Sequence, residues 1–346
     1  MTAKRRAALG ALVAVVILAV GVFYLAQRPP AAGEVVVYTS VDEVQARQVL
    51  GDFERRTGIK VRPVYDTEAA KTTGLVMRII AETSRPTADV YWSNELSRTI
   101  ELASRGALGV YVSPAAADIP AQWKDANGRW ASSSLRARVI VYNSELVSAA
   151  DAPRTLEDLT GERWRNKVGI ADPRFGTTAS HAAALAAAWG KEKSLDYFRR
   201  LAANGARVYQ GNSLVRDAAA AGEILAGLTD TDDVLVGQAR GMKISMAVPD
   251  QGADGMGTLV MPNSVARIAG APHPDEAAKL IDFLLSKDVE RQYAKPEEGL
   301  IPVRVESAGS DAAKQLAAIK QMDVDWTAVS ATAGPFSIEV ASILVK

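Results

Sequence analysis

Short β-rich runs alternate with helix-spaced segments from residue 34 to residue 293. The first run, Val35-Val36-Val37-Tyr38, is apolar throughout and bounded by polar residues, which marks a buried strand. Residues 41–56 then place Val44, Val49, Leu50 and Phe53 at helical spacing, and Thr57-Gly58 stops the helix. A strand over 59–65, a helix over 75–82, a strand over 88–92 and a helix over 97–104 follow. A strand over 136–142 closes at Asn143-Ser144, and a second alternating set begins at Val168-Gly169-Ile170. That set predicts helices at 179–189, 195–203 and 215–221, strands at 224–229 and 244–248, and helices at 275–285 and 287–293. Parallel strands need long crossovers and helices supply them, so the pattern dictates an α/β protein with mainly parallel sheets. The C-terminal stretch shows no clear period. At about 150 residues per domain, 346 residues suggest two units, and no low-complexity linker parts them. Two lobes joined by strands are therefore expected.

Residues 1–33 are a separate object. Lys4, Arg5 and Arg6 precede an uncharged apolar run over 7–26, which Gln27, Arg28, Pro29 and Pro30 end. The run exceeds the ~7–15 residues of a cleaved signal's apolar core. It matches the ~20 residues that span hydrocarbon. The charges ahead of it hold that end in the cytoplasm, so the rest is exported, to the periplasm or the outer face of the cytoplasmic membrane. Both a signal peptide, cleaved at Ala26 or Ala32, and a retained anchor satisfy the pattern.

Forty Lys and Arg balance forty Asp and Glu, so no net field draws nucleic acid. The absence of cysteine removes disulfides, thiolate metal sites, a Cys nucleophile and a lipidated cysteine. The two histidines, His181 and His273, cannot build a multi-His metal site. No G-x-S-x-G nucleophile elbow occurs, which leaves an envelope hydrolase the weakest function class and a non-enzyme the expectation.

The segment over 34–59, EVVVYTSVDEVQARQVLGDFERRTGI, resembles the opening of family 1 extracellular solute-binding proteins of ABC importers, ferric-iron-type subgroup. Further matches keep the same order: ADVYWSNE (88–95), RARVIVYN (136–143), IADPRFGTTASH (170–181), GNSLVRDAAAAGEI (211–224) and PNSVARIAGAPHPDEAAKLIDFLLS (262–286). The resemblance implies a two-lobed periplasmic-binding-protein type II fold, one lobe over 34–137 plus 264–346 and the other over 138–263. It also implies a monomer that closes on a small ligand by hinge motion and delivers it to a membrane permease and its ATPase.

In the ferric branch, a first-loop His, a Glu after the third strand and two adjacent Tyr hold the metal beside a bound anion. The corresponding positions here are Asp42, Asn94 (with Glu95 next) and Asp232-Asp233. Without the phenolates, tight ferric binding loses its chemical basis. A carboxylate set of Asp42, Glu95, Asp230, Asp232 and Asp233, joined by Asp66 and Glu68, suits a divalent cation, a ligand amine or sugar hydroxyls. If a metal binds, Asp42, Glu95, Asp232 and Asp233 are its candidate ligands, with an anion completing the shell; no other cofactor is expected.

The anion side is better kept. Gly176-Thr177-Thr178 opens a helix after a strand, Gly211-Asn212-Ser213 opens another, and Lys71-Thr72-Thr73-Gly74 repeats the chemistry. Helix N-terminal amides with adjacent hydroxyls bind phosphate, phosphonate or carboxylate, although helix capping alone would explain such residues. Tyr38 and Ser40 lie at the ligand-contacting first loop of the family, and one of Arg136 and Arg138, here Arg138, is expected to clamp an anion. The expected ligand is an anionic, phosphate- or phosphonate-bearing small molecule; the alternative is iron(III) or another metal ion.

Overall fold

The computed structural model describes residues 33–66, 73–295, 299–307, 314 and 318–345. The N-terminal apolar segment over 1–32, Glu68, Lys71 and Thr72 lie outside the described residues.

Strands and helices alternate as expected: β1 (Glu34–Thr39), α1 (Glu43–Thr57), β2 (Lys60–Tyr65), α2 (Thr73–Ala81), β3 (Val90–Ser93), α3 (Leu96–Ser104), β4 (Leu108–Gly109) and β5 (Ala131–Asn143). The second set runs β6 (Val168–Ala171), α4 (Gly176–Trp189), α5 (Lys191–Ala203), β7 (Arg207–Tyr209), α6 (Asn212–Ala220), β8 (Ala226–Asp230), α7 (Thr231–Ala239), β9 (Ile244–Ala247) and β10 (Val260–Ile268). Then come α8 (Pro274–Leu284), α9 (Lys287–Tyr293) and α10 (Trp326–Leu344). Helix α1 ends where the sequence said it would, on Gly58 in the left-handed conformation, whose N–H returns to the Glu54 carbonyl.

The strand order is β2-β1-β3-β10-β5-β8-β6-β7, with β4 on β10 and β9 on β5. Parallel pairs β1–β2 and β1–β3 build one sheet, and β6–β7 and β6–β8 build the other. The long strand β5 belongs to both. Its first half, up to Ala137, pairs antiparallel with β10. Its second half, from Arg138, pairs with β8 and, from Ile140, with β9. The sheets therefore meet at one peptide, Ala137–Arg138.

Each sheet has its own core. Val37, Phe53, Trp92, Leu280 and Ile301 centre the first, and Ile140, Leu185, Tyr197, Phe198 and Leu228 the second. Helix α10 packs in the second cluster through Val329, Ala333, Phe336, Val340 and Leu344, a stripe at three- and four-residue spacing. Among the described residues, one polar tie from α10 reaches the first half: Ser330 Oγ donates to the Ser97 carbonyl at 2.6 Å.

At the far end of β1, a buried carboxylate gathers three donors. Asp89 accepts from the N–H of Val36 (2.7 Å), the N–H of His273 (2.7 Å) and His273 Nδ1 (2.9 Å). The hydrogen bond to Asp89 raises the His273 pKa, burial opposes it, and Asp89, Glu34 and Glu276 add attraction. A histidine raised in the folded state contributes stability fully below its unfolded pKa of about 6.5 and loses it as pH rises through the folded value. His273→Gln is therefore expected to lose stability near pH 5.5 and little at pH 9, read as urea midpoints. Equal losses at both pH values would contradict the charged pair.

Candidate functional site

Arg136 and Arg138 are two apart on β5 and so share a face. Both reach Asp230, the last residue of β8, which is fully buried. Arg138 Nη1 donates to Asp230 Oδ1 at 2.6 Å and Arg136 Nη1 to Oδ2 at 3.2 Å. Thr177 Oγ1 (2.8 Å) and Asn212 Nδ2 (3.0 Å) also donate to Oδ2. One carboxylate thus ties together β5, β8 and the starts of α4 and α6.

Around this knot three helices begin on one cavity of about 390 Å³. Helix α4 presents Gly176, Thr177 and Thr178; α6 presents Asn212 and Ser213; α7 presents Asp232 and Asp233. Asp42, Glu43, Val44 and Gln45 of the first half, with Asn94, form the opposite wall, and Arg136 lies between. None of the three helices has a side-chain cap: their N-cap residues are Phe175, Gly211 and Asp230, and no N-cap side chain hydrogen-bonds its own helix. Capping therefore does not account for Thr177, whose hydroxyl serves Asp230 instead. Gly176 has a φ of 54°, strained for any L side chain, and a Cβ there would meet open space.

Charge is uneven across the cavity. Arg138 and Arg136 hold Asp230 below the ordinary carboxylate range although burial pushes the other way. Burial lifts Asp232 to about 6; Arg136 resists while Asp230 and Asp42 add repulsion. Burial and the neighbouring charges of Asp232, Asp230 and Asp42 lift Asp233 to about 8. Three buried side-chain atoms on the cavity residues have no partner among the described residues: Thr178 Oγ1, Arg136 Nε and Asp232 Oδ1.

Of the residues singled out from sequence, Asp42, Asn94, Gly176, Thr177, Thr178, Asn212, Asp232 and Asp233 line this cavity. Five others do not. Tyr38 is a core residue whose hydroxyl meets Thr87 (2.8 Å) and Glu82 (3.0 Å). Ser40 is buried behind Asn94 and orients it, donating to Asn94 Oδ1 at 2.9 Å. Thr73 starts α2 and faces Arg98 at 3.4 Å. Glu95 caps α3 through the Ser97 N–H (3.2 Å) and accepts from Ser180 Oγ (2.7 Å), which links the two halves; burial raises its pKa. Arg138 is wholly buried against Asp230, so Arg136 is the arginine that reaches the cavity.

Sequence reasoning passed over Arg216, which also lines the cavity. It lies one helical turn after Asn212, the spacing that puts two residues on one face, and that signal was available. The carboxylates of Asp230, Asp232 and Asp233 approach within 4.8 Å of one another, the density of oxygen a hard cation requires. Asp230, however, is already committed to two guanidinium groups.

A profile of the family described as bacterial extracellular solute-binding protein matches residues 97–329, more than half of the chain. The chain belongs to this family. The solute-binding protein is 27% identical over 268 residues to the major ferric iron-binding protein of Neisseria meningitidis serogroup B, covering 76% of this chain and 78% of that one. It is 28% identical over 302 residues to a candidate 2-aminoethylphosphonate-binding periplasmic protein of Salmonella typhi, covering 84% of this chain and 85% of the relative. The solved ferric binding protein of Campylobacter jejuni superposes with a TM-score of 0.79 at 19% identity, over 90% of this chain and 99% of that one. The fold is thus the α/β architecture of periplasmic binding proteins, as the motifs implied. Membership makes the solute-binding protein an extracellular component of ABC import, a binder and not an enzyme.

Proposed function

We propose that the solute-binding protein captures a small phosphate- or phosphonate-bearing anion and hands it to a membrane permease. The observation that carries this reading is the pair of uncapped helix N-termini, α4 and α6, opening on one cavity beside the spare hydroxyl of Thr178. Free N-terminal amides and the positive end of the helix dipole favour an anion there. The volume suits a small ligand. Residues 34–137 with 264–307 act as one lobe and residues 138–263 with α10 as the other; the packing of α10 in the second core favours this over the expected placement of all of 264–346 in the first lobe. The lobes close about β5 and β10, because β5 changes sheet at Ala137–Arg138.

Two relatives bear on the ligand. One is named for ferric iron and one for 2-aminoethylphosphonate. Asp232 and Asp233 stand where the resemblance places the iron-binding Tyr pair, and Arg136 Nη1 lies 3.4 Å from Asp232 Oδ2. A guanidinium at that distance repels a trivalent ion, so the phosphonate-type reading is preferred over the metal one.

Melting temperature measured with phosphates and phosphonates, and separately with ferric citrate, tests the proposal. A ligand at a hundredfold excess over its Kd adds about 2.7 kcal/mol, roughly 5 °C or more for a protein of this size. A rise with iron alone, and none with any phosphorus compound, refutes it.

A further inference from the structure

We propose that the ligand also carries a cationic amine, and that Asp42, Asp232 and Asp233 form the subsite that reads it. The inference rests on the anion reading above and gives the same ligand a second end.

The cavity has two chemically opposed sides. Donors gather at the N-termini of α4 and α6, and carboxylates gather where α7 faces the start of α1. Asp232 and Asp233 come from one half of the protein and Asp42 from the other, so a group between them touches both. Asp42 occupies the N-cap position of α1 and lines the cavity. Among the described residues, buried Oδ1 of Asp232 has no partner, and neither does Nε of Arg136, a side chain 6% exposed on the same cavity.

Positive charge already present does not neutralise this corner. Arg136 is shared between Asp230 and Asp232 and also donates to the Asn94 carbonyl. The guanidinium nearest Asp233, Arg216, stands 3.9 Å away and is engaged by Asp217 at 2.7 Å. Adjacent carboxylates held out of water are costly unless a counter-charge arrives. A sugar hydroxyl supplies a hydrogen bond but no charge. A multiply charged metal ion would find Asp230 committed to two guanidinium groups and would be repelled by Arg136 beside Asp232 more strongly than a singly charged ammonium. An ammonium supplies both charge and directed N–H donors to oxygens converging from two sides. Burial and the mutual repulsion of the carboxylates raise the affinities of Asp232 and Asp233 for protons.

Calorimetric titration of the full exported chain with matched pairs tests this: 2-aminoethylphosphonate against ethylphosphonate, and phosphoethanolamine against ethyl phosphate. The amine-bearing member of each pair is expected to bind about 30-fold tighter or more. Asp232→Asn with Asp233→Asn should collapse that preference and leave the amine-free ligands within about threefold of their starting affinity. Asp42→Asn, a change at an exposed side chain that leaves the fold intact, should cut the preference on its own. Equal affinity within each pair, or a preference untouched by Asp42→Asn, overturns the amine subsite while the anion reading stands. Failure of all four compounds alongside tight ferric binding removes both.

Discussion

Asp230→Ala is expected to destabilise the protein by about 3–5 kcal/mol, the ordinary cost of stripping one partner from a buried ion pair. Arg138 is 0% exposed and its Nη1 lies 2.6 Å from Asp230 Oδ1. Without that carboxylate its charge has no counter-ion of comparable proximity in a dry interior. Arg136 loses one of its two carboxylates as well. Burial and the Arg138 charge hold His181 at about 3, so it stays neutral and offers no relief. Asp230→Asn separates charge from hydrogen bonding. The amide keeps an oxygen for Thr177 and Asn212 yet leaves both guanidinium groups under-compensated, so the loss should approach that of alanine. Urea unfolding at pH 7, followed by circular dichroism, measures both. A loss below about 1 kcal/mol for either variant would mean that Asp230 does not organise the hinge.

That knot explains what was legible in the sequence and what was not. Strands β1, β3 and β6 read clearly because they are short apolar runs flanked by turn residues. The hinge strand β10 escaped because Pro262 lies within it, and a proline argues against a central strand. Here Pro262 lies opposite Leu135 of β5, one pair before the register shifts at Asn263/Ser264. Helix α10 escaped for a different reason. Its apolar stripe alternates with Ala, Ser, Thr and Gly, with Pro335 inside, so no charged face sharpened the period. At the site, residues at the starts of α1, α4, α6 and α7 were found because strand-to-helix junctions are where open α/β sheets bind ligands. The choice between Arg136 and Arg138 could not be made from spacing, since both point the same way. Only the register, Arg138 opposite Asp230 and Arg136 one pair beyond the change of sheet, shows which is sealed in and which faces the cavity.

The same cluster predicts an unusual pH dependence for the ligand-free protein. A carboxylate whose folded pKa is raised binds its proton more tightly when folded. Its contribution is most favourable below the unfolded value of about 4 and declines as pH rises toward the folded value. Asp232, at about 6, and Asp233, at about 8, should therefore cost the fold on the order of a few kcal/mol between pH 4 and pH 8. Asp230 acts oppositely: its lowered pKa stabilises above the unfolded value and that stability is lost in acid. Stability should consequently peak at mildly acidic pH. Loss of the His273–Asp89 pair with rising pH runs in the same direction, so the comparison is best made in a His273→Gln background. There, Asp232→Asn with Asp233→Asn should flatten the fall between pH 5 and pH 8 and leave the variant the more stable protein at pH 8. An unchanged slope would place the titration elsewhere. The link to binding follows from the same linkage. At pH 7 Asp233, at about 8, is largely protonated while Asp232, at about 6, is largely ionised; a cationic group arriving beside them lowers both values, so binding of an amine ligand should release protons, chiefly from Asp233. Titrations in buffers of different ionisation enthalpy would show it, and the amine-free partner ligand should show much less.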